Sequence, residues 1–166
     1  MLTDADARVN EVVQQAAAEI RTLTGELANE YLGPGGVPAK LRETAERLGD
    51  GDRFAVGVTV LSDQPVATGT AKVVVRAAQE LATNAKKHSG GSTCSISYSA
   101  TDTLVELVVE DDGVGLGGFG VPDDSRFGLL SVQTQVEDLG GNLQLLTSDR
   151  GGAKVVVTVP RDDSGI

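Results

Sequence analysis

Two short stretches of this chain carry side chains whose types and spacing could do chemistry. In Glu80-Leu81-Ala82-Thr83-Asn84-Ala85-Lys86-Lys87-His88, a carboxylate and a carboxamide stand at i and i+4. On a helix that spacing projects both from one side, where their oxygen atoms can share one magnesium-bound phosphate group. In Glu110-Asp111-Asp112-Gly113-Val114-Gly115, an apolar strand runs out into an acidic, glycine-rich turn. Asp111 continues the odd-numbered face of Val105, Leu107 and Val109, so the two-residue period of a strand sends its carboxylate to the core side of the sheet. A carboxylate placed there needs hydrogen-bond donors. Together the two stretches read as a nucleotide site.

The elements that must position them come from periodicity. Residues 71–88 carry Val74, Ala77, Ala78, Leu81 and Ala85 at helical spacing, and Gly90-Gly91 ends the run. A helical wheel puts Glu80, Asn84 and Lys87 within about 60° of one another beside that stripe, which predicts a site at the edge of the core. Phe54, Val56, Val58 and Val60 mark a strand. Cys94, Ile96 and Tyr98 alternate with Thr93, Ser95, Ser97 and Ser99, and Thr101-Asp102 connects them to a strand over 104–110. The pair predicts an antiparallel hairpin with Cys94 in the core. A glycine-rich loop over 113–126, a helix over 128–139, the turn Gly140-Gly141 and strands over 142–148 and 153–159 complete this part. The predicted class is α+β: a two-layer α/β sandwich with a mixed, mostly antiparallel sheet and helices on one face.

Upstream of Gly49-Asp50-Gly51-Asp52, Val9, Val13, Ala16, Ile20, Leu23, Leu27 and Tyr31 recur every three or four residues. They predict a long N-terminal helix whose stripe packs either on its own domain or in an intermolecular bundle. Gly33-Pro34-Gly35-Gly36 interrupts it, and residues 38–48 read as a second, short helix.

Composition narrows the function classes. With 166 residues, 40% of them hydrophobic, the chain can bury one ordinary core. A net charge of −10 and only 14 Lys and Arg residues exclude the basic surface that nucleic acid requires. One cysteine and one histidine leave no internal disulfide and no zinc cluster, which predicts a reducing, cytoplasmic setting. No apolar run reaches the roughly 18 residues of a membrane span, so no membrane contact by this segment is expected.

The loop glycines need sorting. Gly113-Val114-Gly115-Leu116-Gly117-Gly118 formally matches the dinucleotide fingerprint, but Gly120 and Pro122 deny it the helix that would hold a pyrophosphate. Phe127-Gly128-Leu129-Leu130 reads as the better anion site, with the first free amides of a helix facing outward.

The order of these motifs carries a resemblance. A Glu-x-x-x-Asn-x-x-Lys-His helix, an Asp-x-Gly-x-Gly turn, a glycine loop running into Gly128-Leu129 and a final Gly151-Gly152 before a strand resemble the GHKL ATPase superfamily, with its Bergerat ATP-binding fold. Within it they are similar to the ATP-binding domain of bacterial sensor histidine kinases. Glu80, and the segment ending in Asp138-Leu139-Gly140-Gly141, resemble the nitrate-sensor and desaturase-sensor subgroup. The resemblance covers about residues 52–160, and residues 9–45 are similar to a second dimerisation helix and connector. It implies a helical dimerisation and connector segment over 1–48 and an ATP-binding catalytic domain over 52–163.

The resemblance also implies roles. Asp111 would accept the adenine amino proton, and Gly113 and Gly115 would let the backbone approach the base. Asn84 would ligate Mg2+, while Glu80 would orient a magnesium water or act as a base. Lys87 and His88 would contact the phosphates, and the Gly128 and Leu129 amides would hold the phosphate tail. Arg126 stands where the family usually has glycine, which alters the lid hinge or adds a phosphate-facing guanidinium. Ala153 replaces a threonine common near the phosphates. The implied partners are ATP, the phosphoacceptor helix of a parent kinase, homodimeric at full length, and a response regulator. His88 is the one histidine and lies inside the nucleotide motif, so the phosphoacceptor is not in this chain. Two alternatives stay open: an anti-sigma-factor serine kinase of the same superfamily, and a nucleotide-sensing or dimerisation module without catalysis.

Overall fold

The structure is a computed structural model that describes residues 8–9, 11–13, 15–16, 32–115 and 123–161. The described residues from 8 to 16 have helical backbone, with Val9, Val12 and Val13 exposed. Ile20, Leu23, Leu27 and Tyr31 of the expected stripe, and Leu116 to Pro122 of the loop, lie outside the described residues.

Helix α1 (Gly36–Leu48) leads to strand β1 (Ala55–Asp63), and helix α2 (Thr68–His88) comes after it. Strands β2 (Thr93–Ala100) and β3 (Leu104–Asp111) are next, then helix α3 (Asp123–Asp138), β4 (Asn142–Thr147) and β5 (Ala153–Pro160). The strands form one sheet in the order β1-β2-β3-β5-β4. Only β1 and β2 are parallel; the other three pairings are antiparallel. The expected two-layer α+β sandwich is what forms.

One register explains where the core sits. Cys94, Ile96, Tyr98 and Ala100 face Asp111, Val109, Leu107 and Val105 across the β2–β3 pairing. Val105, Leu107 and Val109 in turn face Val159, Val157 and Val155. All of these are buried, whereas the alternate positions, from Thr93 to Ser99 and from Glu106 to Glu110, are only partly covered. The helices lie on the first face. Ala71, Ala77, Ala78, Ala82 and Ala85 let α2 approach the sheet closely, and Val74, Val75 and Leu81 fill the space between. Cys94 is buried in this row. Burial, and next the negative charge of Asp111, push its thiol up to about 12, so it is a protonated core residue at neutral pH.

One expectation needs correction. α3 begins at Asp123, not Gly128, because one interior glycine costs a helix only about 1 kcal/mol, too little to set its start. The expected loop over 113–126 is therefore shorter. Val37, Leu41 and Leu48 of α1 belong to the same core as α2 and the sheet.

Candidate functional site

The site is built where the C-terminal end of α2 meets the turn after β3. Gly90, with φ of 68°, ends the helix, and the basic residues Lys86, Lys87 and His88 in its last turn complement the negative end of its dipole. The Ser89 carbonyl accepts the Val114 N–H at 2.8 Å. A Cβ on Gly113 would lie 2.6 Å from the Ser89 carbonyl carbon, so only glycine allows this approach. Gly115 sits at φ 76°, in the left-handed region that glycine occupies without strain. Both glycines of the Asp-x-Gly-x-Gly turn thus have a backbone reason to be glycine.

Asp111 is 7% exposed and points to the core side, as the strand period predicts. Its Oδ1 accepts two backbone amides, Gly113 N–H at 2.9 Å and Ala153 N–H at 3.2 Å. The fold therefore fixes one oxygen, and no described residue donates to the other, Oδ2. Asp112 does different work. Its Oδ1 accepts the Ser92 and Thr93 amides, each at 2.9 Å, and its Oδ2 accepts the Ser92 hydroxyl at 3.1 Å. These bonds, the Thr93 amide foremost, hold its carboxyl at about 2 and staple the turn to the start of β2.

Glu80, Asn84 and Lys87 line one side of α2. Glu80 and Asn84 are half-buried at the core's edge, and Lys87 is exposed. Asn84 lies five residues before Ser89, about 7.5 Å along the helix axis, and Glu80 about 6 Å further. The neighbouring Lys86 is committed elsewhere, donating to the Leu48 carbonyl at the end of α1 at 2.8 Å. His88 is half-buried in the final turn.

α3 crosses α2 at Glu80. A Cβ on Gly128 would overlap the Glu80 carboxylate, with Glu80 Cδ only 2.6 Å away, and one turn further on Arg76 Nη2 donates to Ser131 Oγ at 3.3 Å. Gly128 thus makes room for Glu80. Gly128 and Leu129 lie in the second turn of α3, where N–H groups bond within the helix, so they are not among its first free amides. Leu129 packs against the core, and Arg126 is exposed in the first turn. An open depression of about 560 Å³ extends from Glu80 along Gln79, Arg76 and Lys72.

The structure therefore brings Asp111, Gly113 and Gly115 to one end of α2, next to Lys87 and His88, with Asn84 and Glu80 farther up the helix and Gly128 over Glu80. Sequence reasoning missed the part played by Gly152 and Ala153. The resemblance implies a place beside phosphates for Ala153, yet its N–H meets Asp111, and Gly152 lies so close that any Cβ would strike the Asp111 carbonyl and carboxylate. The signal was present, because Ala153 continues the buried odd-numbered face of Val155, Val157 and Val159, just as Asp111 continues that of β3.

A cation could find hard oxygen donors at Asn84 and Glu80. Among the described residues there is no group of three or more His, Cys, Asp or Glu side chains able to hold a metal. That donor set fits magnesium, which takes one or two protein oxygens and completes its shell with phosphates and water.

Comparison with known proteins gives the family and the fold. The sequence profile described as "Histidine kinase-, DNA gyrase B-, and HSP90-like ATPase" matches residues 69–163. The sensor histidine kinase NarS of Mycobacterium tuberculosis is 30% identical over 165 residues, covering 96% of this chain and 38% of its own. The nitrate/nitrite sensor protein NarX of Escherichia coli is 29% identical over 89 residues, 51% of this chain and 14% of its own. This chain thus spans well under half the length of these relatives. The ATP-binding domain of PrrB from Mycobacterium tuberculosis superposes with a TM-score of 0.53 at 23% identity, covering 76% of this chain and 95% of that domain, and so shares the fold. The match over residues 69–163 shows that the chain belongs to the histidine kinase-, DNA gyrase B- and HSP90-like ATPases.

Proposed function

We propose that this chain is the ATP-binding catalytic domain of a two-component sensor histidine kinase, presenting the γ-phosphoryl of Mg-ATP to a histidine carried by another segment. The observation that carries the reading is the divided Asp111 carboxylate, with Oδ1 held by two backbone amides and Oδ2 left open. An exocyclic amino group, such as that of adenine, supplies the donor that Oδ2 lacks. A guanine carbonyl in its place would set an acceptor against an acceptor.

On this reading, the remaining groups along α2 serve the rest of the nucleotide. Lys87 and His88 would face the phosphates, and Asn84 would hold the cation. Magnesium, when bound, neutralises charge on the phosphate oxygens. Transfer breaks the bond between the γ-phosphorus and the β–γ bridging oxygen, whose electron pair leaves with ADP, and forms a phosphorus–nitrogen bond to the acceptor imidazole. Glu80 takes up the proton that the imidazole releases. Positioning and charge neutralisation supply most of the rate in such chemistry. The only histidine, His88, lies within the site, so the acceptor comes from elsewhere. Residues 1–48 serve as the helical dimerisation and connector arm, its last helix anchored in the catalytic core through Val37, Leu41 and Leu48. A response regulator would then take the phosphoryl group from the acceptor. Ala153 does not argue for a catalytically silent module, because what it gives Asp111 is a backbone N–H, and any non-proline residue has one.

Thermal unfolding with Mg-ADP and Mg-ATP tests the reading. Nucleotide at about 100 times its dissociation constant stabilises the fold by roughly 2.7 kcal/mol. Asp111→Asn abolishes that shift, and Asn84→Ala removes mainly its magnesium dependence. No shift in the unaltered chain at millimolar nucleotide would end the proposal.

A further inference from the structure

On the face of the sheet away from the helices, one arginine holds together the turn that fixes Asp111. Arg150, in the turn between β4 and β5, donates from Nη1 to Thr93 Oγ1 at 3.2 Å and from Nη2 to Ser95 Oγ at 3.2 Å, both on β2. Nη2 also donates to the Glu110 carbonyl on β3 at 3.3 Å, and Nε lies 3.9 Å from the Glu110 carboxylate. Its backbone N–H donates to Ser148 Oγ at 3.0 Å, and the Ser148 hydroxyl donates to Glu110 Oε1 at 2.5 Å. Within the turn, Ser148 N–H bonds the Gly152 carbonyl at 2.8 Å and Gly151 N–H bonds the Ser148 carbonyl at 2.9 Å. The next residue is Ala153, whose N–H meets Asp111 Oδ1.

We propose that Arg150, acting with Ser148 and Glu110, is a positioning residue that sets base selectivity by locking the β4–β5 turn against β2 and β3, so that Ala153 and Gly152 hold the Asp111 carboxylate in one orientation. The inference rests on the reading of Asp111 as the adenine-recognising group. Arg150 lies across the sheet from the ligand side and acts only through the turn. Its planar fork is suited to this task, because it reaches two strands at once, whereas a single ammonium cannot present the same set of donors. Without the clamp, the Ala153 amide and the Asp111 carboxylate move relative to β3, and Oδ2 no longer waits at a fixed place for an amino group. An interaction made only with a correctly placed donor is then weakened, while contacts to the phosphates are untouched.

Arg161 provides an internal control at the other end of the sheet. Its Nε donates to the Pro65 carbonyl at 2.8 Å and its Nη1 to Asp102 Oδ1 at 3.3 Å, so it too ties separate segments together, but far along β5 from Asp111. The experiment is calorimetric titration of Mg-ADP and Mg-GDP into the parent chain, Arg150→Ala and Arg161→Ala, with thermal unfolding of each without nucleotide. Arg150→Ala is expected to lower the preference for ADP over GDP about fivefold or more, mostly through weaker ADP binding. Arg161→Ala is expected to lower the unfolding temperature at least as much and leave the preference unmoved. An unchanged preference in Arg150→Ala, or an equal loss in both variants, overturns the inference alone. A parent chain that does not discriminate ADP from GDP overturns it together with the reading of Asp111.

Discussion

The two ends of the candidate site are made of different materials. At the Asp111 end the partners are backbone: amides of Gly113 and Ala153 hold the carboxylate, and the Ser89 carbonyl takes the Val114 amide. At the Glu80 end the contacts are made by side chains, Glu80 lying against Gly128 and Arg76 reaching Ser131. Backbone partners are fixed by the strand register and cannot move without disturbing the sheet, whereas a glutamate can turn about its own bonds at a cost of about 1 kcal/mol. On the proposed reading, the first end is prebuilt for one shape of base, and the second can adjust during phosphoryl transfer.

Adding one methyl group at each end should separate the two most sharply. In Gly152→Ala the new Cβ meets the Asp111 backbone, 2.6 Å from its carbonyl carbon, and neither strand can yield. We expect a loss of about 3 kcal/mol, seen as a fall in unfolding temperature of roughly 6–12 °C, together with loss of nucleotide binding. The neighbouring Gly151 is the control. It has φ of 92° but open space around its Cβ direction, so Gly151→Ala costs only backbone strain, about 1–2 kcal/mol. Equal effects of the two substitutions would contradict the close packing on Asp111.

Gly128→Ala should behave in the opposite way. Its Cβ meets the mobile end of Glu80, which swings aside, and alanine is better than glycine inside a helix by about 1 kcal/mol. Stability is therefore unchanged or slightly raised. The displaced carboxylate no longer flanks Asn84, so phosphoryl transfer to a supplied acceptor domain should fall by about tenfold or more while ADP binding persists. A destabilised protein with normal transfer would show that Gly128 serves packing alone.

The same contrast explains how much was legible in the sequence. A strict period of two placed Asp111 on the core side, and a helical stripe placed Glu80, Asn84 and Lys87 at the core's edge, because both repeats are geometric consequences of the backbone. The order of motifs was legible for the same reason, and so was the sandwich. The start of α3 was not. A helix boundary near a single glycine depends on a small propensity difference that flanking residues easily outweigh, so Gly128 read as a helix start when it is a crossing point. Arg150 was also invisible, since its partners Thr93, Ser95 and Glu110 lie on strands far away in sequence and meet only through the sheet register.

The smallest expected effect tests how firmly the backbone end is stapled. Asp112 is partly exposed, and its carboxyl is held at about 2, below its usual 3.8, chiefly by the Thr93 amide. A depressed folded-state value means that the charged form is favoured by folding. The stabilisation is therefore complete above the usual value and is lost as pH falls through about 2. Asp112→Asn keeps an oxygen acceptor but removes the charge. At neutral pH it should be less stable by under about 1 kcal/mol, since water screens a partly exposed group. Urea unfolding from pH 7 down to pH 2 should show the gap between parent and variant closing at the acid end. A gap that stays constant would mean that the Ser92 and Thr93 amides need only an oxygen at this position, and that the charge of Asp112 contributes nothing to holding the turn beside Asp111.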